Sequence, residues 1–283
     1  MKLRAPGRKP ILLEPTRPSA AIYAWYRKEL VQLVTSMADD IEDKLCAAYP
    51  KGMAQDDFTE AVATAFSDLN ERWQGSFKRA SKTLASTVSK KIFKQHDLAF
   101  KTVLDKSGFS VRFQMTPEMQ AALDEKIAAN VDLISSIPVQ YLDEVEAMTR
   151  KSVEAGRNMK AFTEQLHERF GITKRRAELI ARDQNNKASA LFHKVRQLEL
   201  GLDQAIWTHT AASKEPRPEH EEWGANKEVY NVADGMWSDV DGEAVWPGTQ
   251  INCGCCDQTI IPGYDEDEEV EPELAATVTK ENV

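Results

Sequence analysis

The sequence predicts an α+β protein: a predominantly α-helical N-terminal region followed by a small α+β domain that ends in a loop-rich, short-stranded C-terminal cap. From Ser19 to Gly201, apolar residues return every three or four positions, the period of an amphipathic helix. After Gly201 that period stops, and glycine, proline, aspartate and tryptophan take over, as turns and short strands require. A third observation says where chemistry should be sought. Two of the five histidines and three of the four cysteines fall between His209 and Cys256.

The elements follow in order. Residues 1–18 form an extended basic arm, because Pro6, Pro10, Pro15 and Pro18 block helix and favour open backbone; such an arm is expected to be mobile unless a partner holds it. Ser19 caps a helix through Ile22, Trp25, Leu30, Val34, Met37 and Ile41 that ends at Pro50-Lys-Gly52. A second helix runs from Asp56 to Trp73, and a third from past Gly75 to a stop at Gly108. Thr116-Pro117 is a capping hydroxyl followed by a first-turn proline, and it opens a fourth helix. Pro138 opens another; Asn158 to Phe170, closed by Gly171, is one more; Thr173 to Leu200, closed by Gly201, is the last. Trp207, Val229 to Val232 and Gln258 to Ile261 read as short strands. Residues 19–157 thus form a helical region and residues 158–263 the smaller domain, and the acidic run 264–283 has too little apolar surface to offset its ordering entropy and is expected to be disordered.

Composition narrows the function. A net charge of −9 argues against a whole-surface nucleic-acid binder, although the ends differ sharply: one is basic, the other acidic. No apolar run reaches the roughly 20 residues of a membrane span, and no signal-peptide core opens the chain, so a soluble protein made in a cytoplasm, with reduced thiols, is expected. The sequence lacks a Gly-x-Ser-x-Gly elbow, a phosphate-binding Gly-x-x-x-x-Gly-Lys loop and a His-Glu-x-x-His pair.

Imidazole and thiolate are both good zinc ligands, and Cys253-Gly-Cys255 can offer two sulfurs to one ion. His220, Cys253 and Cys255, completed by His209 or Cys256, therefore form a candidate structural zinc site that would staple a segment poor in apolar residues. A catalytic alternative uses the same stretch. His220-Glu-Glu222 and Cys253 to Cys256 match the His-x-Glu and Cys-x-x-Cys halves of the zinc deaminases, with Glu222 as proton shuttle, but Asn252 stands where that signature has proline and the cysteines lead into a strand, not a helix. His96, His167 and His193 lie in helical stretches and read as surface or internally satisfied residues.

The order Arg176-Ala-Glu-Leu-Ile-Ala-Arg182-Asp183-Gln184-Asn-Asn186, a helix to Gly201, Trp207, Arg217-Pro-Glu-His220, Pro247-Gly248 and Cys253-x-Cys255 resembles the Mu F-like head morphogenesis domain of tailed bacteriophages, over about residues 158–263. Gly254 replaces the arginine more usual between the cysteines, and Ser213-Lys-Glu215 replaces an aspartate. The resemblance implies a non-enzymatic minor capsid protein, associated with the portal vertex, needed for head assembly and carried in the virion with the DNA. Its partners would be the portal protein and the major capsid or scaffolding protein. Arg182, Asp183, Gln184 and Arg217 would then form a polar cluster that clamps the loops of the cap. In the helical region, Lys78, Arg79, Lys82, Lys90, Lys91 and Lys94 make a basic face with Phe77 and Phe93 interleaved, suited to non-specific contact with DNA or with an acidic portal surface. The two charged ends are candidate docking segments.

Overall fold

The computed structural model describes residues 9–47, 55–154, 159–210, 215–263 and 278–279. Its order is β1 (Ile11–Leu12), α1 (Ala20–Ala47), α2 (Gln55–Lys106), β2 (Ser110–Val111), α3 (Pro117–Glu154), α4 (Met159–Glu199), β3 (Gln204–Thr208), α5 (Pro218–Asn226), β4 (Val229–Asn231), β5 (Met236–Ser238), β6 (Glu243–Val245), β7 (Cys256–Ile261) and β8 (Val278–Thr279). The fold is α+β, with long helices first and small antiparallel sheets concentrated after them. The chain divides into two compact units, each discontinuous in sequence. The helical unit comprises Tyr23–Val88 and Ile127–Arg182; the sheet unit comprises Met1–Ile22, Ser89–Lys126 and Asp183–Val283.

In the helical unit, α1 buries Tyr26, Leu30, Val34, Met37, Ile41 and Leu45 at the three- and four-residue spacing seen in the sequence. They share a core with Phe66, Leu69 and Phe77 of α2, Ile134, Ile137 and Tyr141 of α3, and Phe162 and Leu166 of α4. Buried Tyr26 donates its hydroxyl to Asn130 Oδ1 at 3.0 Å, so its polar end is satisfied inside that core. Asp40 accepts from both Arg72 and Trp73 at 2.8 Å, which ties α1 to α2.

Two helix starts are where the sequence puts them, while the starts expected at Pro138 and Thr173 fall inside the continuous helices α3 and α4. Ser19 Oγ accepts from the Ile22 N–H, and Thr116 Oγ1 accepts from the Met119 N–H with Pro117 at the first helical position. The stops differ. Gly75, Pro138 and Gly171 interrupt nothing: α2, α3 and α4 run through them. A glycine inside a helix costs only about 1 kcal/mol against alanine, and an interior proline about 3 kcal/mol. Beyond Pro138, α3 buries Tyr141, Leu142 and Val145, each worth roughly 1.5–3 kcal/mol, so continuing the helix outweighs the break. The expected stop at Pro50 to Gly52 and the start at Asn158 lie outside the described residues.

The sheet unit is built on the order β1-β7-β3-β4, all antiparallel. Registers pair Ala205 with Tyr230 on one side and Thr259 on the other, which sets β3 at the centre. One cluster of the core, Leu13, Phe100, Leu104, Phe109, Val111, Leu200, Leu202 and Ile261, packs α2 and the α4 end against β7; a second holds Ala205, Trp207, Tyr230, Val232, Val245, Cys253 and Cys255. The arm is extended but, over its described part, it is held by its own chain: Ile11 and Leu12 pair with Ile261 and Ile260, the Leu13 N–H donates to Thr259 O at 3.0 Å, and Leu13 is 1% exposed. Composition alone missed that a single buried leucine anchors the arm. Short strand β2, which pairs with β8, was also unforeseen among the helices. Of the acidic run, only residues 278–279 fall within the described residues.

Candidate metal centre

Helix α5 and the loop before β7 bring three donors together, and the end of β3 places His209 beside one of them. Strand β3 ends at Thr208, so His209 leaves the sheet centre, half-buried. Helix α5 starts with Pro218 at its first turn and presents His220, 2% exposed, against the rings of Trp207 at 4.8 Å and Trp223 at 5.4 Å. The loop before β7 supplies Cys253 and Cys255, both buried, through a turn in which Asn252 takes a left-handed φ of 61° and the Cys253 N–H bonds to Gln250 O.

The distances suit a tetrahedral ion. Zinc bonds of about 2.3 Å to sulfur and 2.0–2.1 Å to nitrogen, at tetrahedral angles, set sulfur and nitrogen about 3.6 Å apart. Cys253 Sγ lies 3.6 Å from His220 Nδ1, Cys255 Sγ 3.9 Å from the same atom, and Cys255 Sγ 3.5 Å from His209 Nδ1. His220, Cys253 and Cys255 are mutually close, within 4.8 Å, and His209 adjoins them on the Cys255 side. Hydrogen bonding from Cys255, with help from His220, holds the Cys253 thiol below the usual thiol range against the opposing effect of burial. The same bond and burial push Cys255 up. Buried His220 Nε2 has no hydrogen-bond partner among the described residues.

The cysteine loop is clamped from outside. Asp183 Oδ1 accepts from the Asn252 N–H at 3.0 Å, and Asn186, three residues on and on the same face of α4, donates to Cys253 O at 2.9 Å. Arg217 donates to Ile251 O and Thr210 to Gly254 O. Of the expected polar cluster, Asp183 and Arg217 reach this loop; Arg182 is exposed and Gln184 is buried, without a hydrogen bond to it. Asn186, Thr210 and Gly224 were not foreseen in these roles. Gly224 is where α5 meets the backbone of His209 so closely that an added Cβ would lie 2.4 Å from His209 Cβ.

The deaminase arrangement is not the one assembled. Cys256 begins β7, outside the mutually close donors, its thiol pushed up to about 11 by burial, and Glu222 is exposed on α5. The basic residues Lys78, Arg79, Lys82, Lys90, Lys91 and Lys94 are all exposed along α2.

A second buried cluster escaped the sequence reading. His96 of α2 and His193 of α4 face each other, Nε2 to Nδ1, at 3.1 Å; His193 Nε2 lies 3.0 Å from Asp257 Oδ1, and Tyr230 donates to Asp257 Oδ2 at 2.6 Å. Burial lowers His96 to about 4, while His193, Tyr230 and Gln197 hold the Asp257 carboxyl low against a burial effect that raises it. Three residues on from His193, Arg196, 1% exposed, grips Asp97 at 2.9 and 2.7 Å and also donates to Glu199 and Gln114 O. His167, by contrast, is exposed beside Glu42.

Residues 143–257 match the family model described as Phage Mu protein F like protein. Over this segment the chain is similar to the Mu F-like family. The Mu F-like segment opens inside α3 and contains every candidate metal donor. An uncharacterized protein of Haemophilus influenzae is 27% identical to the chain over 265 residues, which are 91% of this chain and 56% of that protein; the chain thus spans about half the length of its curated relative. No solved structure matches.

Proposed function

We propose that this chain is a minor head protein of a tailed bacteriophage, a non-enzymatic component that works in head assembly at the portal vertex and is carried in the virion. The observation that carries this reading is the Mu F-like match over residues 143–257, a family of phage head morphogenesis. Its partners on this reading are the portal protein and the major capsid or scaffolding protein. The exposed basic residues of α2, Lys78 to Lys94, support a non-specific contact with packaged DNA, one that weakens as salt rises. Among the described residues no helix is long and apolar enough to cross a membrane, which agrees with a particle-borne protein.

On this reading the candidate centre holds a structural zinc ion through Cys253, Cys255, His220 and His209. What supports it is the spacing of the donors and their chemistry, two thiols and two imidazoles. The ion would cross-link α5, β3 and the cysteine loop. The cap's role is then to present a rigid surface.

The test is fractionation. Intact heads purified from cells that produce the phage should contain this chain in a few copies per particle, and heads made without it should assemble poorly. Its absence from purified heads, with normal assembly in its absence, would overturn the proposal.

A further inference from the structure

The hairpin β5–β6 carries apolar surface that the fold does not use. Trp237 is 64% exposed and Val240, in its turn, 75% exposed; Ile251 of the adjoining cysteine loop is 55% exposed. The two segments are joined, since Gln250 donates to Asp241 at 3.0 Å. Isolated exposed apolar residues are ordinary, but three large ones on one small cap suggest a recognition surface.

The turn that displays them is also locked. Glu219, in the first turn of α5, accepts from the Ser238 hydroxyl at 2.7 Å and from the N–H groups of Asp239 at 2.9 Å and Val240 at 3.2 Å. Ser238 is fully buried and its Oγ also accepts from the Asp241 N–H, while the Gly242 N–H closes the turn onto Ser238 O. The Trp237 indole N–H is already paired with Asp239, so the ring offers carbon surface alone. A turn held this firmly loses little freedom on binding, the condition under which an exposed tryptophan becomes an anchor.

The surrounding charge selects the partner. Asp239, Asp241 and Glu243 are exposed around the turn, no lysine or arginine lies between Ala233 and Cys256, and Arg217, beside Ile251, is turned to its carbonyl. That field repels phosphate backbones and anionic lipid headgroups and attracts lysine and arginine.

We propose that the β5–β6 turn is a docking knob, with Trp237 and Val240 entering an apolar pocket on a different head protein whose rim carries lysine or arginine. The inference rests on the head-assembly reading and adds the surface that would perform it. W237S/V240S changes two exposed side chains, so its melting curve should overlay that of the unaltered chain. Its copy number in purified heads should fall at least about tenfold, as loss of a central interface tryptophan commonly does. E243K should lower incorporation too. A photo-cross-linking residue at Val240 should join the chain to another head protein, within a segment rich in lysine or arginine. Full incorporation of W237S/V240S, or cross-links only to DNA or to a second copy of this chain, would overturn the knob while leaving the head-assembly reading intact. Absence of the unaltered chain from heads would overturn both.

Discussion

Gly224→Ala adds one methyl group at a point where the structure has no room for it. The new Cβ would stand 2.4 Å from His209 Cβ and 2.9 Å from the His209 backbone nitrogen, whereas ordinary contacts begin near 3.4 Å, so α5 and the end of β3 must separate by about 1 Å. Two effects oppose each other. Alanine favours the helix by about 1 kcal/mol, and overpacking costs about 1–3 kcal/mol. Because the obstacle includes backbone and not the far end of a flexible side chain, the clash should cost the upper part of that range, about 2–3 kcal/mol, leaving a net loss of about 1–2 kcal/mol. That corresponds to a fall in Tm of roughly 2–8 °C for a domain of this size. Since the displaced residue is a proposed ligand, zinc affinity should fall about 10–100-fold, the usual cost of disturbing the support of a ligand. Thermal melts and competition with a chromophoric chelator read the two effects separately. A variant as stable as the original, with the same zinc affinity, would refute the reasoning.

Two further outcomes follow from the buried polar groups. His96 titrates near 6.5 when unfolded and near 4 when folded, so the unfolded chain binds the extra proton; of order 3 kcal/mol of stability should be lost as pH falls from about 6.5 to 4, and urea midpoints of metal-free His96→Gln should lose that slope. Arg196→Met fills similar volume but strands the Asp97 and Glu199 carboxylates, and urea unfolding should register a loss of about 3–5 kcal/mol; a loss below about 1 kcal/mol would mean the cluster is solvated.

The helical periodicity, the two cap signals at Ser19 and Thr116, and the change of character after Gly201 were legible because each is local. What the sequence hid depends on distant partners. Whether Gly75, Pro138 and Gly171 end a helix is settled by what their neighbours bury, and that requires the other helices. Helix α5 was written in Pro218, Glu219 and Glu221, a proline and acidic residues suited to a first turn, but its nine residues are too few for periodicity to speak. Strand β1 was masked by prolines on both sides. In the site, the histidine and cysteine donors stood out by type, since such residues are scarce in this chain. Asn186, Thr210 and Gly224 did not, because an amide, a hydroxyl and a missing side chain acquire their roles only from the backbone they face. The His96–His193–Asp257–Tyr230 chain draws on α2, α4, β7 and β4, and no spacing in sequence reveals it.

The account turns on whether the donors on β3, α5 and the cysteine loop share an ion. Zinc content and zinc-edge absorption on the purified chain test this directly. The prediction is about one zinc per chain, with two sulfur neighbours at about 2.3 Å and two nitrogens at about 2.0–2.1 Å, both sulfurs lost in C253S/C255S. A chain purified under reducing conditions that takes up no stoichiometric metal, or that holds it through oxygen alone, would contradict it.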